Sequence, residues 1–113
     1  MAKKDQIHRI FDSLVITDIA EHISEVSDCR DAGKMTIMIK SSLNQTVSLT
    51  FEGSDKETFD LVLSIKSGVS IASGVTAYQT LTDFMPFIRA KAQCSVAPGA
   101  GNLIVSISKY RGR

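Results

Sequence analysis

From Met35 to the C-terminus, apolar and polar positions alternate in short runs. Met35, Ile37 and Ile39 are interleaved with Thr36, Met38 and Lys40, and Val47, Leu49 and Phe51 with Ser48, Thr50 and Glu52. Phe59, Leu61, Leu63 and Ile65 alternate with Asp60, Val62, Ser64 and Lys66. Ile88, Ala90, Ala92, Cys94 and Val96 alternate with Arg89, Lys91, Gln93 and Ser95, and Leu103, Val105 and Ile107 with Ile104, Ser106 and Ser108. A period of two sends successive side chains to opposite faces of a strand. The pattern therefore predicts an all-β chain with one buried and one mostly wet face. Its core is expected to hold Ile37, Ile39, Val47, Leu49, Leu61, Leu63, Ile88, Ala90, Cys94, Val105 and Ile107.

Turn residues punctuate the runs. Ser41–Gln45 reads as a hairpin between strands 34–40 and 46–52, and Gly53–Glu57 as a second loop. Ser67-Gly68 reads as a tight turn before a short strand 69–71, and Ser73-Gly74 as a turn before a strand 77–81. Thr82–Pro86 makes a corner into a long strand 87–96, and Ala97–Asn102 a hairpin loop into a last strand 103–110. The acidic stretch 17–33 carries a short strand around residues 21–26 and a turn at Asp31-Ala32-Gly33. About eight strands at this spacing predict an antiparallel β-sandwich with jelly-roll-like connections.

Residues 3–15 follow another rhythm. Ile7, Ile10, Phe11 and Leu14 fall at i, i+3, i+4 and i+7, one face of a helix, whereas Leu14-Val15-Ile16 favours a strand. Residues 1–16 are thus expected to be a short N-terminal helix or an extended arm, set apart from a sandwich domain 17–113. An isolated helix this short is marginal in water, so the segment is expected to become ordered against a neighbouring subunit.

Composition narrows the function more than it names it. The chain has 113 residues, 43% of them hydrophobic, no Trp and a formal charge of +1. That length is one domain, and that charge gives no strong average field for nucleic acid or membrane. The charge is uneven: residues 1–60 carry seven Lys/Arg and eleven Asp/Glu, residues 61–113 six Lys/Arg and one Asp. The halves either form a dipole suited to head-to-tail contacts or mix by interleaving of strands. Cys29 and Cys94 fit no zinc spacing and are expected to stay unlinked thiols. The N-terminus lacks the apolar core of a secretion signal, and no stretch has the ~20 apolar residues of a membrane span, so synthesis in the cytoplasm is expected.

Candidate chemistry is sparse. His22 lies near Asp18, Glu21 and Glu25, but no second His or Cys joins it as a metal site would need. No serine sits in G-x-S-x-G or S-x-x-K. Gly99-Ala100-Gly101 lacks the Lys and the helix start of a phosphate loop. Asn44-Gln45-Thr46 matches a glycosylation sequon, with no secretory route to use it. Arg89 and Lys91 share one side of their strand, yet the aromatics that stack single-stranded nucleic acid are missing there apart from Phe87. That side reads as an ordinary wet face or a contact to acidic groups of a neighbour. Phe84-Met85-Pro86-Phe87 is dense in large apolar groups, as the plug of one sandwich end or an anchor for another subunit. No enzyme, cofactor or metal is expected.

Three stretches carry a resemblance: Ser41–Val47 with Phe51-Glu52-Gly53-Ser54, then Tyr78–Arg89, then Ala97-Pro98-Gly99-Ala100-Gly101. Together they resemble small all-β proteins of bacteriophages and prophages and related bacterial surface proteins, over roughly residues 34–108. The resemblance implies a virion or appendage building block, made in the host cytoplasm and assembled into the virion. The function it implies is a non-enzymatic structural one: capsid decoration, head–tail or tail component. Partners would be further copies of the chain or a larger virion protein, with no small-molecule substrate, nucleic acid or membrane. Subunit contacts are expected at Ile7, Ile10, Phe11 and Leu14, at Phe84, Met85 and Phe87, and at Arg89 and Lys91. The second reading is a carbohydrate- or surface-binding sandwich of a tail fibre or cell-surface appendage. Such sites present aromatic platforms, and only Tyr78 and Tyr110 could supply one.

Overall fold

Nine strands form two antiparallel sheets in a computed structural model that describes residues 5–30, 32, 34–81 and 85–110, with Asp5, Gln6 and Tyr110 described in backbone alone. In chain order they are β1 (Asp5–Leu14), β2 (His22–Ile23), β3 (Ser27–Asp28), β4 (Lys34–Ser41), β5 (Val47–Ser54), β6 (Leu63–Ile71), β7 (Thr76–Leu81), β8 (Phe87–Cys94) and β9 (Leu103–Tyr110). The first sheet has the order β1-β9-β4-β7 and the second β2-β8-β5-β6, with β3 also paired to β8. The chain changes sheet at every connection except β2–β3 and β5–β6, a jelly-roll-like interleaving. Among neighbouring strands only β5 and β6 follow one another in sequence.

The period-two residues meet between the sheets. Ile37, Ile39, Val105 and Ile107 of the first sheet and Val47, Leu49, Phe51, Ile88, Ala90, Ala92 and Cys94 of the second are fully buried in one cluster. Each such aliphatic side chain stabilises the fold by roughly 1.5–3 kcal/mol relative to exposure. Interleaving also mixes the charges: Glu52 and Glu21 from the acidic half pair with Arg89 and Lys91 from the basic half.

The structure corrects the sequence reading in four places. First, the described residues contain no helix. Residues 5–14 are an edge strand, paired with β9 from Asp5↔Tyr110 to Leu14↔Leu103. Register shifts between Arg9 and Phe11 and between Phe11 and Leu14, with Ser13 at φ 62°, break the alternation. Adjacent Ile10 and Phe11 thus both turn inward, so the helix-like spacing is the imprint of bulges. Ile10, Phe11 and Ile16 belong to the common core.

Second, Leu61 and Leu63 are 69% and 55% exposed rather than buried. Phe59 takes a left-handed φ of 54°, and β6 starts only at Leu63 with two register shifts against β5. Residues 59–65 therefore do not run as one strand. Third, Ser67-Gly68 is no turn: β6 runs through it, with Gly68 at φ 72° in one of those bulges. Fourth, Ser41–Gln45 and Ala97–Asn102 join strands of different sheets, so neither is a hairpin. Of the turn at 31–33 only Ala32 is described, and the corner residues Thr82, Asp83 and Phe84 lie outside the described residues, as does the basic tail from 111 onward.

Candidate interaction surfaces

The stretches behind the resemblance meet in space. The two sheet crossings are laced together at one end of the sandwich. The Ser42 amide donates to the Asn102 carbonyl at 2.9 Å and the Asn44 amide to the Ala100 carbonyl at 3.2 Å. In return the Asn102 amide donates to Ser42 Oγ and the Gly99 amide to Asn44 Oδ1, both at 2.9 Å. Leu43 is fully buried beneath them. Gly101 sits at φ 95°, and a Cβ there would overlap the Ser42 carbonyl and Leu43 Cα. Gly53 and Ser54 pair with Ile88 and Phe87, and the absent Gly53 Cβ leaves room for the Met85 side chain. These residues are architectural.

The basic side chains of β8 are engaged within the chain. Arg89 Nε donates to Glu52 Oε1 at 2.9 Å, and Lys91 Nζ lies 3.3 Å from Glu52 Oε2 and 3.4 Å from Glu21 Oε2. Those carboxylates raise the Lys91 pKa, the Glu52 hydrogen bond first. The Arg89 guanidinium also lies 4.2 Å from the centre of the Phe59 ring. A left-handed backbone at a bulky residue costs about 1–3 kcal/mol. The buried ring and its cation–π contact, worth roughly 0.5–2 kcal/mol, offset that cost. Phe59 thereby pins the β5–β6 connection and leaves Leu61, Val62 and Leu63 facing solvent.

A polar clip closes one side of the sandwich. His8 Nε2 lies 2.9 Å from Glu25 Oε1, and His8 Nδ1 3.0 Å from Ser27 Oγ. A carboxylate only accepts, so Nε2–H donates to Glu25, while Nδ1 and the Ser27 hydroxyl share the second hydrogen bond. Close by, the Glu25 amide donates to the Ile10 carbonyl at 3.3 Å. A Ser–His–Glu set has the residue types of a hydrolase, but Ser27 is fully buried and no substrate reaches its hydroxyl. The set fastens β1 of one sheet to the β2–β3 edge of the other. His22 bonds Asp18 at 2.9 Å, which lowers the Asp18 pKa. Among the described residues no three His, Cys, Asp or Glu groups come together to hold a metal. Nor is any helix of the described residues long and apolar enough to cross a membrane.

What remains open is the outer face of the first sheet. Cross-strand rows run Arg9–Ser106–Met38–Tyr78 and Ile7–Ser108–Thr36–Thr80. Ile7, Met38 and Tyr78 are 72%, 54% and 69% exposed. They stand on a floor of small hydroxyl side chains. A shallow hollow of about 340 Å³ lies among Ile7, Met38, Lys40 and Ile104.

Of the contact residues inferred from sequence, Ile7 is on this face. Ile10, Phe11 and Phe87 are buried in the chain's own core or against it, because bulges and the β5–β8 pairing turn them inward. Leu14 and Met85 are half-buried against that core, and Phe84 lies outside the described residues. Arg89 and Lys91 are spoken for by Glu52 and Glu21. Sequence reasoning missed Met38 and the Leu61–Leu63 tip, and named Tyr78 only for the carbohydrate-binding reading. The polar phase of β4 held the first signal, since Met38 is a large apolar residue at a wet position.

No protein-family model matches the chain, and no curated protein matches it. Solved structures share its fold. The PBSX exported protein XepA matches with a TM-score of 0.67 at 13% identity over 96% of this chain, which spans only 38% of XepA. The SPBc2 prophage-derived protein YomS matches with a TM-score of 0.58 at 11% identity, over 93% of this chain and 91% of YomS. A structure of Bacillus endospore appendages, described as a family of disulfide-linked pili, matches with a TM-score of 0.56 at 11% identity, over 98% and 93% of the two chains. At such identities the likeness is one of fold, and it meets the resemblance to phage-type all-β proteins at that level.

Proposed function

We propose that this chain is a non-enzymatic structural subunit of a phage-type virion, acting through contacts with other subunits. The observation that carries the reading is the outer face of the first sheet, where Ile7, Met38 and Tyr78 stand exposed together. Contiguous exposed apolar side chains mark interaction sites more often than they mark idle surface. The face is flat and its hollow shallow, which suits a protein partner better than a small molecule. The prophage derivation named for YomS agrees with a virion setting, whether capsid decoration, head–tail joint or tail. The partner is a further copy of the chain, a larger virion protein, or both.

The test is incorporation. Particles are purified on a density gradient from cells carrying the gene, and the chain is measured in them by mass spectrometry. Co-migration at constant stoichiometry is the expected result. A chain that stays wholly in the soluble fraction while particles form overturns the reading. In that case binding of the intact chain to an array of polysaccharides tests the carbohydrate-binding alternative, with Tyr78 as its only described exposed aromatic.

A further inference from the structure

The chain carries two exposed patches of complementary chemistry on different sheets. We propose that the β5–β6 tip of one copy docks on the outer face of the first sheet of the next, so that the protein associates head to tail with itself. The inference rests on the reading of the chain as an assembly subunit and specifies one contact that builds the assembly.

The tip is apolar with an acidic collar. Leu61, Val62 and Leu63 are exposed consecutively, a costly arrangement to leave in water. The preceding turn holds Asp55, Glu57 and Asp60 against a single Lys56. None of the three carboxylates has an ion partner among the described residues. The tip is also preformed, because Phe59 is held in a left-handed conformation beneath Arg89. Strained backbone fixed by its surroundings recurs at binding sites.

The face is apolar with a basic frame. Ile7, Met38 and Tyr78 are exposed on it, and the hollow beside Lys40 offers about 340 Å³ to an aliphatic side chain. Lys34 and Lys40 stand on the outward phase of β4 without ion partners among the described residues. The described side chains of the four strands include one carboxylate, Asp12, which Arg9 holds at 3.2 Å. Acidic apolar tip and basic apolar face therefore match in sign and in character. A second copy is the occupant this argues for, since each copy brings both halves of the contact. Because the two patches differ, the contact is heterologous and propagates into a ring or an open filament.

Sedimentation velocity of the full chain over a range of concentrations at low salt tests this. The weight-average mass is expected to rise with concentration and to fall again in ~1 M NaCl, where the Debye length is ~3 Å. The double substitution Leu61→Ser/Val62→Ser is expected to weaken association about tenfold or more, as are Lys40→Glu and Asp60→Lys singly. All lie at exposed positions, and unchanged thermal midpoints will show that they fold. Mixing K40E chains with D60K chains is expected to restore association, because the mixture regains an acid facing a base at every contact. A wild-type chain monomeric at all concentrations overturns the proposal, even if particles contain it, and leaves the larger protein as partner. Association indifferent to these substitutions also overturns the tip-on-face contact while leaving the assembly reading intact.

Discussion

Replacing Gly101 by Ala tests whether the two sheet crossings truly lock one another. Among the described residues three glycines adopt a left-handed backbone: Gly68 at φ 72°, Gly74 at 74° and Gly101 at 95°. At the first two a Cβ would enter open space, whereas at Gly101 it would overlap the Ser42 carbonyl and Leu43 Cα. The conformational cost of placing Ala at such a φ is roughly 1–2 kcal/mol, reduced by the 0.4–1 kcal/mol or so that Ala removes from the freedom of the unfolded chain. Gly68→Ala should therefore cost about 1 kcal/mol. Gly101→Ala adds a displacement of the Ser42–Leu43 backbone. That displacement breaks bonds such as Ser42 N–H to the Asn102 carbonyl and Asn102 N–H to Ser42 Oγ. At about 1 kcal/mol each, the total comes to roughly 3–4 kcal/mol. Without Trp, far-ultraviolet circular dichroism in urea is the suitable readout. The midpoint should fall with the slope unchanged, and the melting temperature by roughly 4 °C per kcal/mol. Equal losses for Gly68→Ala and Gly101→Ala, within about 0.5 kcal/mol, would refute the interlock.

Three further outcomes follow from burial and charge. Leu49→Asp should unfold the domain, since a cavity costing about 2–5 kcal/mol is joined by an unpaired buried carboxylate, while Leu61→Asp, at 69% exposure, should change stability by no more than ~0.5 kcal/mol; equal urea midpoints for the two would remove the strand register. Cys29 and Cys94 are free and buried, and burial pushes both thiols up in pKa, so mass spectrometry should find no alkylation of the native chain and two labels once it is unfolded without reductant; absent labels on unfolded chain would reveal a disulfide. The Arg30 hydrogen bond beside Asp28, 2.6 Å at its closest, lowers its carboxyl from an ordinary 3.8 to about 2. A depressed carboxyl contributes stability above its ordinary pKa and loses it as pH falls through the native value, so the window here is from about pH 4 down to about 2, and the contribution is small because both groups are exposed. An NMR titration midpoint for Asp28 near 3.8 would show that the pair does not form.

The strand content was legible because its signal is local. A residue's face in a strand depends only on parity, so the runs 34–40, 46–52 and 103–110 nearly coincide with β4, β5 and β9. What failed were the places where parity breaks. Two register shifts in β1 gave apolar spacings of three and four that mimic a helix, and β6, with two more, leaves Leu63 exposed at its start while Val69 and Ile71 are buried. A bulge leaves no mark in the sequence beyond, at best, a glycine, and Gly68 read equally well as a turn. Topology was illegible for another reason. A crossing between sheets and a hairpin share the same turn residues, and only the partner strand distinguishes them. Residues 42–44 and 99–102 lie almost sixty positions apart and find each other across the end of the sandwich.

The interaction surfaces depended on these same breaks. Arg89 and Lys91 looked free in sequence because their partner, Glu52, is brought beside them by strand pairing between β5 and β8. Conversely, the apolar tip was hidden because Phe59–Ile65 had the period of a core strand. Phe59 takes a left-handed φ, and Leu61, Val62 and Leu63 after it lie exposed. With alternation intact, Leu61 and Leu63 would have extended the buried phase and Phe59 would have needed no cation above it. As it is, the fold commits the Phe59 ring and the Arg89 guanidinium to holding three apolar side chains in water. In the tip-on-face contact proposed above, those three side chains would be covered by the next copy.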